Sequence, residues 1–301
     1  MKSIIENGLK FAFIAQTTLM QKLLIILIGC FSGLQSIAQL QAGVFGGIAN
    51  YHGDLSEKVF QNPKGAFGIT VGYEINSRIN LRAGVTFAKV GGADSLSSSA
   101  DLRLRNLSFE SPITEFSLVG EFNTLDMDIK SWSPYVFAGL GVFHYNPYTF
   151  DRSGNRVYLQ PLSTEGQGVA GYPDTKPYSL TQLAIPFGGG IKYNITDNIR
   201  LALEIGMRKL FTDHLDDVSG NYADAGELLA ARGPLAVDLA FREDEVPGGD
   251  PAYPAKGEQR GSPKYKDYYY FSGLHVIFRL PEGRGGDRAA KKSGYGCPTV
   301  F

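Results

Sequence analysis

From Ile199 the chain reads Ile-Arg-Leu-Ala-Leu-Glu-Ile-Gly-Met-Arg-Lys-Leu-Phe, and that alternation narrows what it can fold into. Leu201, Leu203, Ile205 and Met207 fall on one face; Arg200, Glu204 and Arg208 fall on the other, with Ala202 and Gly206 between them. Period two means a strand with two unlike faces. A soluble sheet turns its apolar face to a core and its charged face to water. An outer-membrane barrel turns the apolar face to lipid and the charged face to its lumen. One strand does not separate the two cases.

Its neighbours do. Further strand segments occupy residues 40–51 (weakly alternating and glycine-rich), 67–75, 79–87, 107–122, 135–145 (apolar on both faces), 182–193 and 268–280, giving eight in all. Asn76-Ser-Arg78, the stretch around Asp126-Met-Asp128, and Thr196-Asp-Asn198 read as short turns. The other four connections are long, and the last two (146–178 and 213–267) are proline-rich. Long and short therefore alternate without exception. Outer-membrane barrels have an even strand number, short periplasmic turns and long extracellular loops. A soluble sandwich or lipocalin-like barrel has no reason to gather every long loop at one end. Tyr73, Phe87, Phe122, Tyr193, Tyr268 and Tyr270 sit near strand ends, where an interfacial aromatic girdle belongs. The expectation is an all-β, eight-stranded antiparallel transmembrane β-barrel.

The N-terminus agrees with export. Met20-Gln-Lys22, the apolar run 23–31 and Ser36-Ile-Ala38 read as a signal peptide spanning residues 1–38, with Met20 as the expected initiator. The apolar run is about half of the ~20 residues a transmembrane helix needs. Leu27-Ile-Gly-Cys30 resembles a lipoprotein box, and lipidation of Cys30 stays open. The barrel then covers 39–280 and a tail 281–301. A net charge of −1 offers no field for nucleic acid.

The charges assigned inward are Glu74, Arg82, Glu115, Glu121, Lys192, Arg200, Glu204, Arg208 and Arg279. Eight strands enclose only enough room for side chains. Charges buried there must pair, because unpaired ones are costly. The lumen is expected to be plugged, which argues against a porin.

Signs of catalysis are thin. Ser219 lies near His214, Asp213, Asp216 and Asp217, but without the strand-turn-helix setting of a nucleophile elbow. A turn stabilised by Asp and Ser side chains accounts for it. Calcium ligation by the three aspartates lacks EF-hand spacing. No phosphate loop or zinc spacing occurs, so no cofactor or metal is expected.

The tail carries Arg284, Arg288, Lys291 and Lys292 ahead of Gly294-Tyr-Gly-Cys297-Pro298-Thr-Val-Phe301. After signal removal Cys297 is the sole cysteine, and in an oxidising compartment that points to an intermolecular disulfide or a free thiol. With a periplasmic N-terminus and an even strand number, the tail is also expected in the periplasm. Lys291, Lys292, Cys297, Pro298 and Phe301 are the expected partner contacts.

Several stretches resemble one family. They are Tyr51-His-Gly-Asp-Leu55, Asn106-Leu-Ser-Phe-Glu-Ser-Pro-Ile113 with Glu115-Phe116, Lys209-Leu-Phe-Thr-Asp-His-Leu-Asp-Asp-Val-Ser219 with Tyr222, and Cys297-Pro-Thr-Val-Phe301. Together they resemble PorG, small outer-membrane barrels of Bacteroidetes belonging to the type IX secretion system. The resemblance implies a non-enzymatic component that anchors or organises a periplasmic ring of a PorK-like lipoprotein and its PorN-like partner. It also makes Cys297 a plausible disulfide partner of the ring lipoprotein. His214 departs from an expected tyrosine, and 223–266 is longer and richer in proline than in the family. The competing expectation is a surface-binding or adhesion barrel acting through its long loops. A lipid-modifying enzyme using Ser219 or His214 is a third.

Overall fold

The computed structural model describes residues 39–280, apart from 57, 59, 174, 263 and 265. Eight long strands form the wall: β1 (Gln39–His52), β2 (Lys64–Glu74), β3 (Ile79–Ala93), β4 (Ser108–Asn123), β5 (Trp132–Tyr145), β8 (Thr181–Asn194), β9 (Ile199–Leu210) and β10 (Tyr268–Arg279). Two short strands, β6 (Tyr148–Phe150) and β7 (Arg156–Tyr158), form a hairpin within 146–178, which the sequence had presented as loop. Every pairing is antiparallel, and β3–β4 contact closes the sheet into a barrel with no free edge in the wall.

The three short turns are set by local chemistry. Asn76 Oδ1 accepts from the N–H groups of Arg78 and Ile79, and Thr196 Oγ1 does the same for Asn198 and Ile199. At the third, Asp126 Oδ1 accepts from the N–H of Asp128. Both ends of the barrel, Gln39 and Arg279, lie with these turns. All four long connections lie at the opposite end. They contain the hairpin and three helices: α1 (Ala100–Arg105), α2 (Ala225–Arg232) and α3 (Pro234–Ala240). The β5–β8 ladder is interrupted between Ala138↔Phe187 and Gly141↔Ala184, beside Pro186, which has no N–H to give.

The two faces of the wall follow the period-two pattern. Leu140 is 71 % exposed, Leu183 61 % and Leu203 60 %, while their chain neighbours turn inward. A continuous outer band of such residues is intolerable in water and is the surface an acyl layer requires. The chain is therefore a transmembrane barrel. Toward the long loops the band stops at a polar level: Thr114, His144 and Thr181 stand side by side on three strands, next to Phe87 on a fourth. Phe87, Phe122 and Tyr193 face outward near the ends of the band. Tyr270 does not belong to a girdle. It is only 4 % exposed, because Phe60 from the first long loop covers it, donating its N–H to Tyr270 Oη at 2.7 Å.

Candidate functional site

Two constructions fill the barrel, and both are built from polar side chains. The first is in the lumen. Near the short turns, Glu74 lies 3.3 Å from Arg279 and 3.8 Å from Arg200, and accepts from Gln41 at 2.5 Å. In the middle, Arg82 bridges Glu121 and Glu204, both at 2.8 Å, and Lys192 also pairs with Glu121. Tyr135 donates to Glu204 at 2.6 Å. Higher up, Arg208 meets Glu115 at 3.0 and 3.2 Å, and Tyr269 donates to the same carboxylate at 2.8 Å.

These bonds run across the barrel as well as along its wall. Arg82 on β3 and Glu204 on β9 stand four strands apart around the sheet in either direction. Each of the four carboxylates has at least one cation, so the cost of burying it is offset. Beside Arg82, Glu204 and Arg208 lies a cavity of about 20 Å³, room for about one water.

The second construction closes the long-loop end. Tyr51, at the top of β1, is 2 % exposed and packs its ring edge-on against Phe109 at 4.8 Å. Its hydroxyl lies 2.5 Å from Asp216 Oδ2 and 3.2 Å from Asp267 Oδ1. Gly53 is required beside it, since a Cβ there would fall 2.1 Å from both Tyr51 Oη and Asp267 Oδ1. Burial pushes Asp216 and Asp267 well above the ordinary carboxylate range. The phenolic hydroxyl has one proton to give, and the backbone N–H groups of Val218 and Leu215 serve the other oxygens of Asp216 and Asp267, each at 2.9 Å.

Two arginines knit the remaining loops. Arg105 of α1 grips Asp94 with two bonds of 2.7 Å and donates to the carbonyls of Arg260 (2.5 Å) and Asp54 (3.1 Å). Arg260 donates to Glu165 (3.0 Å) and to the carbonyls of Asp217 (2.6 Å) and Ala240 (3.2 Å). Asp217 sits at φ 67°, in the left-handed region, and its carboxylate accepts from Thr164 and Tyr178, each at 2.6 Å. Burial raises the Asp217 carboxyl as well, against the pull of Arg260. The loops thus form an ordered cap with its own buried polar interior. A cleft of about 1060 Å³ opens on its flank, between α1 and the 258–262 stretch, with Tyr222, Glu258 and Tyr268 in its walls.

The stretch holding Ser219 and His214 belongs to this interior. Ser219 Oγ donates to Asp213 at 2.9 Å, and the Val218 N–H donates to Asp216, closing the turn. His214 instead stacks flat on Tyr178 at 4.7 Å. Among the described residues no acidic or histidine group is arranged to hold a metal ion. The basic tail with Lys291, Lys292, Cys297, Pro298 and Phe301 lies outside the described residues, as does the expected signal peptide with Cys30.

Sequence reasoning did not single out Arg105, Asp94, Arg260 or Glu165. Yet the first three stretches quoted for the family resemblance converge in this cap: Tyr51 touches Phe109 and Asp216, one from each of the other two.

A closed wall, a lumen crossed by ion pairs and an ordered loop cap define a plugged eight-stranded transmembrane barrel. The chain belongs to the family described as "Domain of unknown function (DUF6089)", whose model matches residues 21–229. No curated protein matches it. Among solved structures it is similar to Ail, the attachment invasion locus protein of Yersinia pestis, in complex with the heparin analogue sucrose octasulfate. That match has 9 % identity over 81 % of this chain and 100 % of Ail, at a TM-score of 0.40. It is also similar to Neisserial surface protein A (12 %, 81 % and 100 %, TM-score 0.38) and to OprG from Pseudomonas aeruginosa (8 %, 82 % and 100 %, TM-score 0.39). At these levels the three say nothing of what this chain binds.

Proposed function

We propose that the protein is a non-enzymatic outer-membrane component of a type IX secretion machine, a fixed anchor for a periplasmic ring built from a PorK-like lipoprotein and a PorN-like partner. The observation that carries the anchoring half is the filled lumen. A barrel crossed by Arg82–Glu204 and Arg208–Glu115 serves as a rigid membrane plug, not as the path of a cargo. The machine itself is inferred from the PorG-like stretches, three of which build the cap. In this reading the short turns and both barrel ends face the periplasm and the long loops face outward. The tail 281–301 then leaves on the periplasmic side, where Cys297 has an oxidising environment in which to pair.

Non-reducing electrophoresis of whole cells tests it. The wild type should give a band shared with a periplasmic lipoprotein, and Cys297→Ser should lose that band. If the two lanes are identical, the disulfide contact is wrong. A second reading, a surface-binding barrel, is favoured by the ordered cap and its cleft of about 1060 Å³. Removing 281–301 separates the two: secretion fails in the first reading and survives in the second.

A further inference from the structure

One cluster of charge serves neither the lumen nor the cap. On the outer wall of β3, Phe87 is the last large apolar residue toward the long loops, and the next outward position is Lys89. Beside it on β4, Glu110 also faces outward. Lys89 Nζ lies 3.2 Å from Glu110 and Lys64 Nζ lies 2.7 Å from it. Tyr148 of β6 donates to Glu110 at 2.6 Å and accepts from Lys89 at 3.0 Å. Arg156, across the hairpin on β7, places its guanidinium 4.4 Å from the centre of the Tyr148 ring. Phe150 and Tyr158 flank that ring and stay 44 % and 43 % exposed.

Two lysines thus pair with one carboxylate, and a third cation, Arg156, lies over the neighbouring Tyr148 ring, a surplus of two positive charges. Their height matters. Lys89 stands one outward position beyond the polar level of Thr114, His144 and Thr181, and Glu110 stands two beyond it, on the side where headgroups meet the wall. Directly below, the cross-strand neighbours Phe67 and Phe87 offer an exposed aromatic wall against which an acyl chain can lie. Arginine supplies a planar pair of donors for a phosphate, and lysine a mobile point charge. Aromatic side chains with one wet and one greasy side are suited to this depth.

We propose that Lys89, Arg156 and Lys64, framed by Tyr148, Phe150 and Tyr158, bind the phosphate of a phosphorylated glycolipid headgroup in the leaflet on the long-loop side. The site depends on the membrane reading and not on the secretion role. Glu110 tempers the cluster and holds the lysines in place until the headgroup arrives.

The test uses the full chain refolded in detergent micelles, with bound lipid counted by native mass spectrometry. The probes are diphosphorylated lipid A, the same lipid with both phosphates removed, and inorganic phosphate as competitor. Phosphorylated lipid A should bind at least tenfold tighter than the dephosphorylated form, and millimolar inorganic phosphate should not displace it. Lys89→Gln combined with Arg156→Gln should abolish the preference. Arg156→Gln alone, on the peripheral hairpin, should weaken binding about threefold even where the double variant folds poorly. Glu110→Gln should bind at least as tightly as wild type. Equal binding of the two lipids, ready displacement by inorganic phosphate, or an unchanged preference in the Arg156 variant would each overturn the proposal.

Discussion

Replacing Arg208 with methionine should lower the unfolding free energy by about 3–5 kcal/mol, the usual cost of removing one partner from a buried ion pair. Glu115 is fully buried, Arg208 is its one ion-pair partner among the described residues, and Tyr269 alone would remain to serve it. Combining Arg208→Met with Glu115→Leu removes both charges and should recover most of the loss, to within about 1–2 kcal/mol of wild type. The readout is the urea midpoint in detergent, followed by the fluorescence of Trp132, the sole tryptophan, which stands exposed at the lower edge of the apolar band. A double variant as unstable as the single one would mean that the pair does more than neutralise itself.

The second large effect concerns the cap. Arg105→Ala abandons Asp94, which is 1 % exposed, and withdraws two bonds from loop carbonyls, so the cap should lose about 3–5 kcal/mol. The barrel wall does not depend on Arg105. The variant should therefore keep the fast gel migration of a folded barrel in unheated samples, while limited proteolysis cuts rapidly between 243 and 262. Intact loops in this variant would show that the cap is held by packing instead of by the two arginines. Loss of the barrel together with the cap would show that the two fold as one unit.

How much of this was legible in the sequence depends on distance along the chain and across the lumen. The strands and their inward charges were readable, because a side-chain period of two fixes the face of every residue once one is known. The pairings were not. Arg82 and Glu204 meet only after four strands of register have accumulated between them, and no local pattern encodes that. The helices of the last long loop were readable in principle. Asp224 caps α2 by accepting from the Glu227 N–H, and Gly233 follows its last residue. They were hidden by the proline count of the segment. Pro234 opens α3 at a position where its missing N–H costs nothing, so it does not mark a coil.

The cap shows why. Its residues are polar, the usual mark of a solvated loop, yet Asp94, Asp216, Asp217, Arg260 and Asp267 are all under 5 % exposed. Only partners from separate loops make that burial tolerable. Tyr270 went astray for a related reason: period two correctly turned it outward, but Phe60 from another loop then covered it.

Conductance across a planar bilayer bears most directly on the filled barrel. With the full chain inserted, the ion pairs that cross the lumen and the cap above them should leave the current at baseline, with no stable open level at any moderate voltage. A steady, reproducible channel conductance from the purified wild-type protein would contradict the plugged lumen and, with it, the role of a fixed anchor.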